Sequence, residues 1–247
     1  MRLTVIGCSG SVPGPDSPAS SYLVSADGYH LLLDLGSGAL GALQRHIRVD
    51  QIGAVALSHL HADHCLDLCG LYVASKYSPC APLRTPVYGP EGTSARMARA
   101  YDLPDEPGMS EEMDFSDWRP SQEIGPFTVR TALMAHPVTA YAMRVEYDGK
   151  ALVYSGDTGP TDALVDLARG ADVLLCEAAM RDEDPDNPPD LHLTGGQAGE
   201  HAARAGVGRL IVTHVPPWFD RATQAEAARR TFDGEVLAAT PDTSYEI

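Results

Sequence analysis

The chain has 247 residues, and its 18 lysines and arginines stand against 34 aspartates and glutamates, giving a formal net charge of −16. Hydrophobic residues make up 44% and charged residues 21%, which is typical of a globular protein and excludes a largely disordered chain. The excess of acid argues against a long nucleic acid as partner, because phosphate contacts depend on lysine and arginine. A small phosphorylated substrate remains compatible if metal ions meet its charge.

No apolar stretch approaches the roughly 18 residues that a membrane-spanning helix needs, so we expect no membrane partner. The start of the chain lacks an apolar core long enough for a secretory signal. The five cysteines are scattered and odd in number, which is typical of a reducing compartment rather than a disulfide framework. We therefore expect a cytoplasmic protein.

Strands and helices alternate along the chain, without an internal repeat or a low-complexity linker. Apolar runs predict strands at residues 3–6, 22–24, 31–35, 54–57, 127–133, 141–147, 151–154, 173–175 and 210–212. Helical periodicity predicts helices at residues 39–47, 63–75, 93–101, 161–168, 195–205 and 221–231. Early hairpins followed by strands that alternate with helices predict mixed α/β sheets covered by helices, in one domain over residues 1–247.

Two acidic segments, residues 103–119 and 181–191, are rich in turn-forming residues and interrupt this alternation. A solvated surface loop is the main interpretation of each. A lid over a functional site is the alternative, since long loops in compact domains often carry function.

The strongest chemical signal is a cluster of histidines that follows the predicted strand at 54–57. His59 and His61 are two residues apart, so in an extended chain their side chains point to the same side. Asp63 and His64 come where the chain turns into a predicted helix. Two adjacent metal ions explain these four side chains better than one, because each ion needs only three or four protein ligands.

Further candidate ligands stand at the ends of predicted strands. His136, Asp157 and His214 each come where a buried strand reaches the surface. One such residue alone would more often be a turn or cap residue, but three of them favour a shared site. The set offers nitrogen and carboxylate oxygen without a cysteine, which suits zinc and is compatible with manganese or iron.

Other polar residues are candidates for substrate chemistry. His192 precedes a predicted helix and is either a catalytic group or a helix cap. Glu177 ends a predicted strand and either orients His192 or forms a salt bridge. Residues 9–21 are rich in glycine, proline and serine, and form either an ordinary turn or a phosphate-binding loop whose contacts come from Ser9, Ser11 or Ser20.

These motifs resemble the metallo-β-lactamase superfamily. The resemblance rests on His-x-His-x-Asp-His at residues 59–64, on His136, on Gly-Asp-Thr at 156–158 and on His214 after a strand. It spans nearly the whole chain, residues 7–214. It implies an α/β (α+β) fold, a four-layer αββα sandwich with two divalent metal ions at one edge of its sheets.

The resemblance also implies a division of the ligands between the two metals. One metal would be held by His59, His61 and His136, and the other by Asp63, His64 and His214. Asp157 would bridge the two. Asp63 would in addition orient the nucleophile.

Within the superfamily, two resemblances point to phosphodiester chemistry. Residues 191–199 are similar to the tRNA 3′-processing endonucleases, called ribonuclease Z, in which the histidine matching His192 assists catalysis. Bacterial members carry a long tRNA-gripping arm between the positions of His136 and Asp157. Here those positions are 157 − 136 = 21 apart, which leaves room for one hairpin only.

The closer resemblance is to actinobacterial, atypical class II-like cyclic-nucleotide phosphodiesterases. It rests on residues 7–20, 63–68, 155–159 and 215–218, while Ala62 departs from the leucine of the usual class II pattern. It implies hydrolysis of 3′,5′-cyclic AMP to 5′-AMP by a metal-bridging hydroxide, with His192 and Asp63 as catalytic residues. Two other activities remain open alternatives, namely a ribonuclease Z-like enzyme without the arm and another ester hydrolase. A homodimer also remains open.

Overall fold

A computed structural model describes residues 1–247, in which fourteen strands form two seven-stranded sheets. The first sheet contains β1 (Arg2–Gly7), β2 (Ser21–Ala26), β3 (Tyr29–Leu33), β4 (Ala54–Ala56), β5 (Thr85–Gly89), β6 (Met113–Asp117) and β14 (Ser244–Glu246). The second contains β7 (Ser121–Ile124), β8 (Phe127–Leu133), β9 (Tyr141–Tyr147), β10 (Lys150–Tyr154), β11 (Val173–Glu177), β12 (Arg209–Thr213) and β13 (Glu235–Ala238).

The two sheets have a similar design. The first has the order β14-β1-β2-β3-β4-β5-β6 and the second the order β13-β12-β11-β10-β9-β8-β7. In the first, β1 to β3 are antiparallel neighbours and β3 to β6 are parallel. In the second, β7 to β10 are antiparallel and β10 to β13 are parallel.

Seven helices cover the outer faces of the sheets. Four helices and a 3₁₀ turn at Val49–Gln51 connect strands of the first sheet. These helices are α1 (Ala39–Leu43), α2 (Ala62–Cys65), α3 (Leu68–Tyr77) and α4 (Thr93–Ala100). The second carries α5 (Asp162–Ala168), α6 (Gly195–Ala205) and α7 (Arg221–Arg229). No helix combines the length and the apolar character needed to cross a membrane.

The apolar side chains fall into three layers of core. Alternation along β3 shows the arrangement: Leu31 and Leu33 face the second sheet, where they share a cluster with Phe127, while Leu32 faces the helices. A third cluster lies between the second sheet and α5 to α7. Helices, two sheets and helices therefore form four layers, and the predicted αββα sandwich is confirmed.

Five strands, β5, β6, β7, β13 and β14, were not predicted from the sequence, and two predicted segments are wrong in detail. The predicted helix at 63–75 is two helices, since α2 ends at Cys65 and α3 starts at Leu68. The predicted loop at 103–119 contains the edge strand β6, because Met113 is buried and the strand pairs in parallel with β5. The strong turn formers in this segment mask the short strand.

Candidate metal centre

The predicted ligands meet at one edge of the two sheets, where several strands end. His59 follows β4, His136 follows β8, Asp157 follows β10 and His214 follows β12. The edges of the sheets are joined here by a hydrogen bond of 3.0 Å from the backbone N–H of Tyr141 to the carbonyl of Ser58. Strand ends that share one edge bring together side chains that are far apart in sequence.

The first group of potential ligands has donor atoms within 4.8 Å of one another, and consists of His59, His61, His136 and Asp157. The Nδ1 of His61 lies 3.0 Å from the Nε2 of His59 and 3.3 Å from the Nε2 of His136. The Nε2 of His59 lies 3.6 Å from Asp157 Oδ2. Two nitrogen ligands of one tetrahedral zinc ion are expected roughly 3.3 Å apart, so these spacings suit a shared ion.

The second group also has donor atoms within 4.8 Å of one another, and consists of Asp63, His64, Asp157 and His214. The Nε2 of His64 lies 3.3 Å from Asp157 Oδ1 and 3.4 Å from Asp63 Oδ2. The Nε2 of His214 lies 3.3 Å from Asp157 Oδ2. Asp157 belongs to both groups, in the position of a bridge.

Unpartnered polar atoms provide a test of whether metal ions fit. Buried polar atoms in proteins are almost always hydrogen bonded. Here Asp63 Oδ2, His64 Nε2, Asp157 Oδ1 and His214 Nε2 are buried and have no hydrogen-bond partner. All four atoms point into the second group, and the nitrogen and carboxylate donors suit zinc and related divalent ions. The residues therefore fit two divalent metal ions.

The electrostatics of the site favour the ligand forms of most side chains. Burial lowers the pKa of His59 well below its usual value, and burial also lowers the pKa of His61 and of His214. These imidazoles are thereby held neutral, as metal ligands must be. Burial raises the pKa of Asp157, but His214, His64 and His59 outweigh it and keep that pKa well below its usual value.

A buried carboxylate behind the site, Asp34, fixes the orientation of His64. The Nδ1–H of His64 donates to Asp34 Oδ2 at 2.7 Å, which leaves Nε2 facing the ligands. Asp34 also accepts hydrogen bonds from the backbone N–H of Ser58 at 2.6 Å and from the hydroxyls of Ser58 and Tyr154. With φ of 59°, Asp34 has the left-handed backbone conformation, which places its carboxylate under the motif.

The other histidine ligands are positioned in a similar way. The Nδ1–H of His136 donates to the carbonyl of Leu191 at 2.9 Å. The Nδ1 of His214 is hydrogen bonded to the hydroxyl of Ser20 at 2.8 Å. Outer partners of this kind fix the ring orientation and raise the basicity of a ligating histidine.

His192 lies next to the ligand cluster, on a buried glutamate. Its Nδ1 is 3.0 Å from Glu177 Oε1 and 3.9 Å from Asp157 Oδ2. Glu177 also accepts backbone hydrogen bonds from Thr158 at 2.7 Å and from Leu193 at 3.2 Å. Burial lowers the pKa of His192, but Glu177 outweighs it and raises that pKa to about 9.

The structure thus brings together all seven sequence-predicted ligands, His192 and Glu177, and it gives the three serines different surroundings. The hydroxyl of Ser9 donates to the carbonyl of Val12 at 2.7 Å, and Ser11 is exposed. Ser20 is fully buried and hydrogen bonded to His214, so it positions a ligand. Phosphate contact by Ser9 or Ser11 stays a prediction.

Sequence reasoning missed Asp34. It was included in the predicted strand at 31–35 as if its carboxylate had no role. A single charged residue at the end of an otherwise apolar run, followed by Gly36, was the available signal.

A family model described as a β-lactamase superfamily domain matches residues 29–215, more than half of the chain. The chain therefore belongs to the β-lactamase superfamily. The protein Rv1339 of Mycobacterium tuberculosis is 46% identical over 257 aligned positions, which cover 100% of this chain and 92% of that protein. Ribonuclease Z of Mycobacterium bovis is 32% identical, with 88% of this chain and 86% of the relative covered.

Among solved structures, the metallo-β-lactamase fold protein YhfI of Bacillus subtilis superposes with a TM-score of 0.88. It is 29% identical and the match covers 99% of both chains. YhfI itself is named as a probable metallo-hydrolase. Membership of this family supports a metal-dependent hydrolase with the metallo-β-lactamase fold.

We predict that Asp34→Asn weakens metal binding about 10- to 100-fold, the usual effect of losing a partner behind a metal ligand. The asparagine amide cannot accept all the hydrogen bonds that the carboxylate accepts from His64, Ser58 and Tyr154. Competition with a chromogenic chelator measures the affinity. Asp67→Asn, which changes a carboxylate bonded only to the backbone N–H of Leu40, is the matched control. Equal affinities of the two variants would contradict this role of Asp34.

We also predict that Gly36→Ala disturbs the site, because an added Cβ would lie 1.9 Å from the carbonyl oxygen of Asp63. The backbone of this ligand must then move. Gly41→Ala is the control, since its Cβ would meet no atom within 4 Å. Thermal unfolding with and without added zinc is the measurement. Zinc should raise the Tm of Gly41→Ala as in the parent, but raise that of Gly36→Ala little; equal increases would refute the packing argument.

Proposed function

We propose that this hydrolase cleaves phosphodiesters, and that its substrate is a 3′,5′-cyclic nucleotide such as cyclic AMP, which it converts to the 5′-nucleotide. The observation that carries the proposal is the His192–Glu177 pair beside two ligand groups that share Asp157. This arrangement combines a site for two divalent ions with a separate proton donor. Phosphodiester hydrolysis needs both, since negative charge develops on the phosphoryl oxygens while an alkoxide leaves.

Two divalent ions at this site would supply Lewis acidity toward the phosphoryl oxygens and would lower the pKa of water toward about 7. The protein's own carboxylates determine where that water is held. Asp63 Oδ2 is buried and unpartnered and lies 3.8 Å from the Nε2 of His214. If Oδ2 of Asp63 binds an ion, its other oxygen, Oδ1, is left to accept a hydrogen bond from the attacking water and to orient that water toward phosphorus.

The proposed hydrolysis consumes one water molecule for each phosphodiester. A bond forms between the water oxygen and phosphorus, and the bond between phosphorus and O3′ breaks. Glu177 binds the Nδ1–H of His192, so the Nε2 of His192 is the nitrogen that gives a proton to O3′. The proton that the water loses restores His192, and the product is 5′-AMP.

Charge and shape near the site favour a small substrate. The residues between His136 and Asp157 hold only β9, β10 and their tight turn. Segment 181–191 carries one arginine and five acidic residues, and it borders the site through the hydrogen bond from His136 to Leu191. A long polyanion would meet repulsion here, whereas a cyclic mononucleotide carries a single negative charge.

We predict that His192→Ala lowers kcat for cyclic AMP about 10²- to 10⁴-fold, which is the usual contribution of a general acid. All seven proposed ligands remain, so the metal content should not change. His46→Ala is the control, because His46 is an exposed histidine paired with Asp242 at 2.6 Å. Near-parental turnover by a metal-replete His192→Ala protein would exclude the assigned role.

The proposed substrate is tested by incubating zinc- or manganese-loaded protein with cyclic AMP and following 5′-AMP by chromatography. We expect turnover that is lost in Asp63→Ala. A precursor tRNA with a 3′ trailer forms the second arm, because a ribonuclease Z is among the relatives. Cleavage of the tRNA without turnover of cyclic AMP would overturn the cyclic-nucleotide proposal and favour an RNA-processing enzyme.

A further inference from the structure

Trp218 is an exposed aromatic residue on the turn that follows the proposed ligand His214, and the reaction described above does not use it. Its relative exposure is 62%, although it lies only four residues after His214. The second tryptophan of the chain, Trp118, is different, because its Nε1–H donates to the carbonyl of Leu57 and its ring stacks on Tyr88. An exposed aromatic ring of this size is free to contact a ligand through its face.

The backbone around Trp218 is firmly held. Gly10 donates its N–H to the carbonyl of Val215 at 3.1 Å, and Phe219 donates to the carbonyl of Pro216 at 2.9 Å. A Cβ added at Gly14 would lie 2.8 Å from the Cβ of Pro217, so the first loop packs closely against this turn. The turn therefore presents the indole of Trp218 with little backbone freedom to lose on binding.

Phe219, the neighbour of Trp218, connects this turn to the acidic segment 181–191. The rings of Trp218 and Phe219 are 6.2 Å apart, edge to face, and the guanidinium of Arg181 lies 5.8 Å from the centre of the Phe219 ring. Arg181 begins the acidic segment that ends at Leu191, directly before His192. The rings of His192 and His214 are 5.6 Å apart. The turn that follows His214 is therefore in contact with the segment that leads to His192.

We infer that Trp218, backed by Phe219 and Arg181, stacks on the nucleobase of the substrate while its phosphate lies at the metal-ligand cluster. This inference rests on the proposed function, because it assumes that the phosphodiester belongs to a nucleotide. Aromatic rings and arginine planes stack on any base, since every base has a π face. Trp218 is thus a specificity-determining residue that selects nucleotides over other phosphate esters without selecting among bases.

Binding of the product analogue tests the inference separately from turnover. Zinc-loaded protein is titrated with 5′-AMP and with ribose 5-phosphate, which lacks the base, and tryptophan fluorescence and equilibrium dialysis are recorded. We expect 5′-AMP to bind more tightly and to quench fluorescence. Trp218→Ala should weaken 5′-AMP binding about 5- to 140-fold, the range expected for loss of one stack, and should leave ribose 5-phosphate binding unchanged.

Two phenylalanine variants act as controls. Trp218→Phe should keep most of the affinity for 5′-AMP and lose the quenching, whereas Trp118→Phe should keep both. Equal binding of 5′-AMP and ribose 5-phosphate by the parent, or unchanged 5′-AMP binding by Trp218→Ala, would overturn the inference.

Kinetics distinguish the failure of this inference from the failure of the proposed function. If stacking holds, Trp218→Ala raises the KM for cyclic AMP and changes kcat little. Stacking of 5′-AMP on a parent protein that does not hydrolyse cyclic AMP would support the inference and contradict the cyclic substrate. Turnover of cyclic AMP with an unchanged KM in Trp218→Ala would support the proposed function and overturn the inference.

Discussion

The site depends on one buried carboxylate, Asp157, which faces ligands of both groups. Its side chain is 2% exposed, and one of its oxygens has no hydrogen-bond partner. A buried charge of this kind is costly unless cations or hydrogen bonds compensate it. Imidazoles of His59, His64 and His214 surround it at 3.3 to 3.6 Å. Two divalent ions would satisfy the carboxylate and the ring nitrogens together, and for that reason we regard Asp157 as the centre of the site.

The fold places these polar groups where strands end. Hydrogen-bond partners on the side away from the proposed metals then hold the side chains in position. Asp34, Ser20 and the carbonyl of Leu191 each hold the outer nitrogen of a different ligating histidine. Glu177 does the same for His192 and is itself held by backbone N–H groups. The apolar layers between and outside the sheets fix the strands that carry these groups. Catalytic geometry therefore depends on partners that do not touch substrate.

The sequence predicted the ligands better than their supports. The histidine motif at 59–64 is a local signal. So is a polar residue directly after an apolar run, because it indicates a strand that ends at a functional site. Asp34 also follows an apolar run, but its role and that of Ser20 arise from contacts with residues 30 and 194 positions away, which no local pattern shows. Strand β6 was missed since only Met113 is fully buried in it and its pairing with β5 is non-local. Long-range contacts, rather than composition, define the parts that were missed.

The net charge of −16 and the proposed phosphodiester substrate are reconciled if the positive charge comes from bound ions rather than from basic side chains. The most direct test of this account is the number of divalent ions that the protein holds, counted by native mass spectrometry after zinc loading. We expect two ions per chain in the parent and at most one in Asp157→Ala. A parent that saturates with one ion, or an Asp157→Ala protein that keeps two, would contradict the shared carboxylate as the centre of the site.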